Sequence, residues 1–412
     1  MRLRVLLLLT GLYFAQGLPF GFFTQAVPVL LRNAGLSLTA ISLTSLLYLP
    51  WGLKFLWAPA VDRIGTRRRW ILATQLGSAG IAFALAATDL TGSLRWLFVA
   101  IAAINLLSAT QDIATDGLAV RLLGPRERGL GNGIQTGAYR LGMIAGGGGL
   151  LWIYADGGWR VLLLTLGGAI LLCTVPVALL APDDRADDAP HRAPPLPAGG
   201  LRAAWWHRLR RPGVIALIAL LAAYKFGNAM VSSLAGPFLH DAGLALKEIA
   251  LVSGALSSTG ALLGSALGGW WAFRHGRRSA LLLGGAAQTV TIALYVVAAL
   301  GIGGFPMVVA ANLTEHVFGG AATVALFTLM MDASEREYAG ADYTLLACAV
   351  VAAQGAAGFA GGVSGDLLGY APTFAIGMVL SGIGCAVLIR ALDRGIGPRS
   401  ITTWTRGPVP TP

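Results

Sequence analysis

Ser108-Ala109-Thr110-Gln111-Asp112-Ile113-Ala114-Thr115-Asp116 lies inside a largely apolar run from Trp96 to Leu123. Asp112 and Asp116 are four residues apart, so on a helix they share one face and stand one turn from each other. If that helix spans a membrane, each ionised carboxylate costs on the order of 2.5–3.5 kcal/mol even on lenient insertion scales. The face that carries them must therefore look onto a wet cavity or a positive partner, and the remaining sequence reads as the scaffold that provides one.

Of the 412 residues, 56% are hydrophobic and 12% are charged; an ordinary soluble domain is about 25% charged. Mean hydropathy is +0.70. Apolar runs recur along the whole length at about twice the ten-residue period of outer-membrane strands, which predicts an all-α polytopic membrane protein. Twelve spans are expected, at 5–31, 37–59, 70–90, 95–121, 130–154, 161–181, 213–238, 248–271, 279–300, 304–331, 341–365 and 371–391. The opening Met1-Arg2-Leu3-Arg4 and the apolar residues after it imitate a signal peptide. The run continues through Leu31 without a convincing cleavage site, so it reads as an uncleaved first helix.

These spans give a division into an N-terminal six-helix bundle (1–181), a linker (182–212), a C-terminal six-helix bundle (213–391) and a tail (392–412). The linker is rich in Pro, Asp and Arg. Its run Asp183-Asp184-Arg185-Ala186-Asp187-Asp188 imitates a diphosphate-binding motif but reads as a solvated charge run.

Of the 30 Lys and Arg residues, 23 fall in the termini, the linker and the loops on one side, four on the other, and Lys54, Arg140 and Lys225 lie within spans. The positive-inside rule then places both termini and the linker in the cytoplasm. The net charge of +11 belongs to these loops, which argues against nucleic-acid binding. Cys173, Cys348 and Cys385 all lie in apolar runs, with no metal-ligand spacing, and read as packing residues.

The chain repeats itself. Ala34-Gly35-Leu36-Ser37-Leu38-Thr39-Ala40-Ile41 matches Ala242-Gly243-Leu244-Ala245-Leu246-Lys247-Glu248-Ile249, Glu127-Arg128 matches Glu335-Arg336, and Arg63-Ile64-Gly65 matches Arg274-His275-Gly276. The offsets, 208 and 211 residues, relate equivalent loops of the two halves. Two parallel six-helix halves are a transporter architecture with its site between them near the midplane.

Asp62-Arg63-Ile64-Gly65-Thr66-Arg67-Arg68-Arg69 resembles the signature loop of the major facilitator superfamily, and Gly264–Arg278 looks like its second copy without the Asp. Lys54-Phe55-Leu56-Trp57-Ala58-Pro59, Ser108–Asp112, Arg126-Glu127-Arg128-Gly129 and Tyr139-Arg140-Leu141-Gly142 resemble the muropeptide permeases of the AmpG type. Those permeases are usually longer. The opening Gln16-Gly17-Leu18-Pro19-Phe20-Gly21-Phe22-Phe23-Thr24-Gln25 looks more like the shorter RhtX/FptX-type siderophore permeases.

The resemblance implies that spans 1, 4, 7 and 10 line a cavity. Tyr13, Gln16 and Gln25, then Tyr224, Lys225 and Asn228, then Asn312, Glu315 and His316 become its polar residues. Depth along the helices puts Asp112 about 13 Å and Arg140 about 18 Å from the cytoplasmic ends of their spans. That predicts an Asp112–Arg140 pair, with Asp116 and Lys54 forming a second pair or joining a network. Lys225 and Glu315 sit at similar depth, and Lys225 is expected to be either the counter-ion of Glu315 or the contact for an anionic substrate. A carboxylate alternating between a desolvated and a lysine-paired setting takes up and releases a proton, so Glu315 is the expected proton carrier. Asp62, Arg63, Gly65, Arg67 and Arg68 form the expected gating loop, with Asp62 bridging to Arg121 or Arg126. Gly142 and Gly146–Gly149 in span 5, with Gly358, Gly361, Gly362 and Gly365 in span 11, are expected to let helices approach closely.

The expected function is secondary active, proton-coupled import of an organic solute across a bacterial inner membrane by alternating access. An iron–siderophore is the first substrate and a muropeptide the second. The expected partners are the small-molecule substrate, the lipid bilayer and the proton, with the chain acting as a monomer. No nucleophile elbow, catalytic His/Asp pattern or metal spacing is present, which disfavours a membrane-embedded transferase. No enzyme activity, cofactor or metal is expected.

Overall fold

The computed structural model describes residues 3–27, 30–31, 49–88, 94–125, 127–181, 199–242, 252 and 256–401. The first repeat segment (34–41), most of its mate (243–249), the Asp183–Asp188 run, Arg126, the outer part of the second span and the side chain of Gln25 lie outside them.

Among the described residues every regular element is helical. α1 (Leu3–Gly21) runs into a π-helical turn, Phe22–Ala26. Next come α2 (Leu49–Leu53) and α3 (Ala58–Arg63), separated by the 3-10 turn Lys54–Leu56. α4 (Arg67–Leu85), α5 (Leu94–Leu122) and α6 (Arg128–Ile144) follow. α6 passes through a second π turn, Ala145–Gly149, into α7 (Leu150–Leu180). After α8 (Gly200–Leu209) come α9 (Val214–Asp241), α10 (Ser257–His275), α11 (Arg277–Ala299), α12 (Gly304–Ala333), α13 (Ala339–Leu368) and α14 (Tyr370–Asp393).

Eight described helical segments are long and apolar enough to cross a membrane, and one of them, Arg128–Leu180, has 53 residues and crosses twice. With α2–α3, α4 and α10 they complete the twelve spans. The fifth and sixth spans part within the expected gap, 155–160: the chain turns at Gly158, whose φ of 71° and ψ of −171° break α7 where a residue with a Cβ would be strained. The linker also contains a helix, α8, rather than solvated chain alone.

The chain forms two compact units. One comprises Met1–Leu123, Gly137–Trp205 and Glu335–Thr344; the other comprises Gly124–Thr136, Trp206–Ser334 and Leu345–Pro412. Each unit therefore draws on both halves of the sequence.

In the first unit α4 packs against α5 and α7, and α1 packs against both of the latter. Leu12, Ile71, Ile113, Leu118 and Val177 form one buried cluster, and Leu18, Phe22, Ile101, Leu162 and Leu166 another. Lipid tails are as apolar as leucine, so such helices associate mainly by close packing. α1 and α6 show how close. A Cβ on Gly17 would lie 2.1 Å from the Tyr139 carbonyl oxygen, and one on Gly146 would lie 2.0 Å from that of Leu18. The two π turns also pack against each other.

In the second unit α12 packs against α10 and α11, while α14 packs against α9 and α11. Phe238, Tyr295, Phe374 and Tyr370 form an aromatic cluster with ring centroids 5.2–6.2 Å apart.

Candidate functional site

Pro50, Gly52 and Pro59 interrupt the second span, so Lys54 sits in a 3-10 turn instead of continuous α-helix. That break turns the ammonium onto α5, where Lys54 pairs with Asp112. Asp116, one turn further along, accepts a hydrogen bond from the Tyr13 hydroxyl at 3.1 Å. All four side chains are buried. Lys54 Nζ also lies 5.6 Å from the centroid of the Trp51 ring. Trp51 Nε1 donates to Asn105 Oδ1 at 3.3 Å, and Trp57 Nε1 donates to Thr110 Oγ1 at 3.1 Å. Phe20 packs edge-on against Trp51, with centroids 5.7 Å apart, and lies 5.5 Å from Tyr139.

The expected Asp112–Arg140 pair is therefore replaced by Lys54–Asp112. Arg140 is half-buried on α6. Gln16 is buried on α1, and its Nε2 has no hydrogen-bond partner among the described residues.

In the second unit the carboxylate of Glu315 is the hub. Its Oε1 accepts from Asn228 Nδ2 at 2.7 Å and from Ser232 Oγ at 3.0 Å. Its Oε2 lies 3.0 Å from His316 Nδ1, which is also 2.9 Å from the Asn312 carbonyl oxygen. Both neighbours of Nδ1 are acceptors, so that nitrogen bears the proton. Lys225 makes no ion pair with Glu315: its ammonium donates to Thr323 Oγ1 at 3.2 Å, and the carboxylate's contact is with the His316 imidazole. Tyr224 donates to the Leu281 carbonyl at 3.1 Å, a helix-packing contact. Asn312 accepts from Ser257 Oγ at 2.5 Å and donates to Tyr295 at 3.2 Å. Asn105 and Asn312 thus each accept from the helix two spans back in the chain, from Trp51 in α2 and from Ser257 in α10.

The loop expected to act as a gate is held by a partner other than the one expected. Asp62 pairs with Arg67 and accepts the backbone N–H groups of Gly340 at 3.1 Å and Ala341 at 2.7 Å, at the start of α13. Arg121, expected as its partner, instead donates to the Arg336 carbonyl at 2.9 Å. The aligned N–H groups of a helix N-terminus attract a carboxylate, and a sequence scan for opposite charges does not find them. Gly117 and Gly340 make room: a Cβ on Gly340 would lie 2.9 Å from Asp62 Oδ1. Arg63 lies over Tyr338, 5.2 Å from its centroid, and Arg68 donates to the Ala178 carbonyl at 2.5 Å. Gly65 has φ 72° and its repeat mate Gly276 φ 85°, both in the positive-φ range that favours glycine.

The second copy lacks the Asp, and the structure shows what replaces it. Asp332, near the end of α12, pairs with Arg128 at 2.5 Å and with Arg277. Arg277 also donates to the Pro125 carbonyl. Asn132 adds a bond to Thr328 Oγ1 at 3.2 Å. Asp332 was missed because it lies in a different span from the loop it serves.

A family model described as Major Facilitator Superfamily matches residues 9–341. The chain is 30% identical over 352 residues to an uncharacterised protein of Haemophilus influenzae, covering 81% of each. It is 30% identical over 353 residues to the anhydromuropeptide permease of Escherichia coli K12, covering 83% of this chain and 70% of that one. Among solved structures it is similar to the proton:xylose symporter XylE, with a TM-score of 0.72, 11% identity and coverage of 93% and 95%. It is also similar to a bacterial homologue of the iron transporter ferroportin, with a TM-score of 0.69, 17% identity and coverage of 96% and 100%.

Proposed function

Because the chain belongs to the major facilitator superfamily, we propose that it is a secondary active permease that imports a sugar–peptide of the muropeptide class across a bacterial inner membrane. The observation that carries this is its 30% identity, over 83% of its length, to an anhydromuropeptide permease. The relatives move the weight from the iron–siderophore reading to the sugar–peptide one.

The first unit suits that substrate. Trp51, Phe20 and Tyr139 offer the aromatic faces on which a pyranose ring stacks, and Lys54 offers a cation for a peptide carboxylate. Asp112 holds Lys54 while the site is empty. A substrate carboxylate that takes over Lys54 frees Asp112, and this exchange gives bound and empty protein different charge networks. Such differential interaction is what lets a ligand shift a conformational equilibrium. Glu315, with His316 beside it, is the proposed proton carrier. Both termini are proposed to face the cytoplasm, and Asp62 and Asp332 to hold their helices on that side.

Uptake of a labelled anhydromuropeptide into proteoliposomes, with and without a pH gradient, tests the proposal. Saturable uptake that the gradient accelerates and unlabelled muropeptide abolishes is the expected result. Uptake competed by a ferric siderophore and not by muropeptide overturns it.

A further inference from the structure

α8 presents an exposed stripe that none of the transport chemistry uses. Ala204 and Arg208 are buried, while Arg202, Trp206, His207 and Arg210 are exposed. Arg202, Trp206 and Arg210 are successive residues at a spacing of four, hence on one side of the helix. Trp206 is 56% exposed, and the Arg210 guanidinium lies 4.5 Å from its ring centroid. A large indole left open to the surroundings and flanked by guanidinium groups matches an interfacial surface: indoles settle at headgroup level and arginines pair with phosphates.

The helix is also held at that level. Four residues, Arg210–Gly213, separate its last residue from Val214, where a membrane-spanning helix begins. Fully extended, the connection spans less than about 18 Å. It is not extended: Arg210 N–H bonds to the Trp206 carbonyl, Arg211 to Arg208 and Val214 to Arg211. Gly213 is packed so closely on Gly397 that a Cβ would lie 2.2 Å from that residue's carbonyl oxygen.

We propose that α8 is a docking surface for anionic phospholipid headgroups of the cytoplasmic leaflet, with Arg202 and Arg210 taking the phosphate and Trp206 lying in the headgroup layer. The side of the membrane rests on the orientation proposed above; the lipid preference does not.

The test is hydrogen exchange of residues 200–213 in the full chain, reconstituted in phosphatidylcholine nanodiscs with and without phosphatidylglycerol. Exchange should slow roughly tenfold with the anionic lipid, since each arginine near a charged surface contributes on that scale. High salt should reverse the effect. Arg202→Gln/Arg210→Gln should remove it while leaving exchange in α12 unchanged, and Trp206→Ala should weaken it. If the double Gln variant perturbs α12, the salt reversal in the unaltered chain decides. Equal exchange in the two discs, lipid-dependent slowing that survives salt, or equal slowing by inorganic phosphate in phosphatidylcholine discs overturns the proposal. Trypsin cleavage at Arg202 and Arg210 in right-side-out and inverted vesicles reads the orientation separately, because nanodiscs expose both faces.

Discussion

The Asp62 carboxylate accepts a hydrogen bond from the backbone N–H of Ala341 at 2.7 Å, across 279 positions of sequence. The end of the second span thus holds the first turn of α13 through the main chain rather than through a side chain of α13. A charged acceptor is worth about 1.5–3 kcal/mol per such bond, and a carboxylate at a helix N-terminus up to about 2 kcal/mol. Asp62→Asn keeps the shape and removes the charge. It is expected to lower the thermal midpoint in detergent and to reduce uptake at least roughly tenfold, the effect of about 1.4 kcal/mol. Gly340→Ala should reproduce the defect without touching any charge, since its Cβ meets Asp62 Oδ1 at 2.9 Å and the Ile113 carbonyl at 3.0 Å. Unaltered uptake in both variants would deny the contact any part in transport.

Asp332 serves two arginines, so its loss should cost more than the loss of either. Asp332→Asn leaves Arg128 and Arg277 facing a neutral amide in a buried site, and breaking a buried pair from one side costs about 3–5 kcal/mol. Arg277→Gln leaves the Arg128–Asp332 pair intact at 2.5 Å and is expected to be the milder change. Denaturation in detergent should rank Asp332→Asn below Arg277→Gln; the reverse order would mean that Asp332 is not the centre of the cluster.

Lys54 and Asp112 allow a charge exchange. Either Lys54→Met or Asp112→Leu alone strands a buried charge and should destabilise by about 3–5 kcal/mol. The double variant should cost clearly less than the sum of the two, because neither member of the Lys54–Asp112 pair is left stranded by loss of the other. Exchanging the pair, as Lys54→Asp with Asp112→Lys, should restore folding measured by thermal midpoint. The exchange of Asp112 with Arg140 should not. If the Arg140 exchange rescues and the Lys54 exchange fails, the pairing seen across the 3-10 turn is not the one the protein relies on.

What the sequence disclosed was set by what a one-dimensional pattern can carry. The spans follow from hydropathy, and the correspondence of Gly65 with Gly276 from a short repeat. The cost of placing Asp112, Asp116 and Glu315 in apolar runs marked them as sites before any partner was known. The partners themselves were harder. Asp112 pairs with Lys54 rather than with Arg140, and Lys54 sits where Pro50, Gly52 and Pro59 break the second span. Asp62 finds backbone donors, which no charge pattern records. Asp332 reaches its arginines from a neighbouring helix. His316, adjacent to Glu315 in sequence, was legible as a polar residue. That it, and not Lys225, contacts the carboxylate depends on rotamers and on Thr323 offering Lys225 another acceptor.

Glu315 supplies the sharpest test of energy coupling. Its two oxygens accept from Asn228, Ser232 and His316, so a neutral glutamine there can keep the acceptor for Asn228 and Ser232 while losing the charge opposite His316. If Glu315 carries the proton, Glu315→Gln abolishes uptake driven by a pH gradient and leaves substrate counterflow, which needs alternating access but no net proton movement. If Glu315 binds substrate, both activities fall together while the thermal midpoint stays near that of the unaltered protein. His316→Asn separates the two further. Removing the imidazole takes away the proton's nearest neighbour and leaves the Asn228 and Ser232 contacts in place, so the pH dependence of uptake should move while counterflow persists. A pH profile unchanged by both substitutions would take the coupling group elsewhere in the chain.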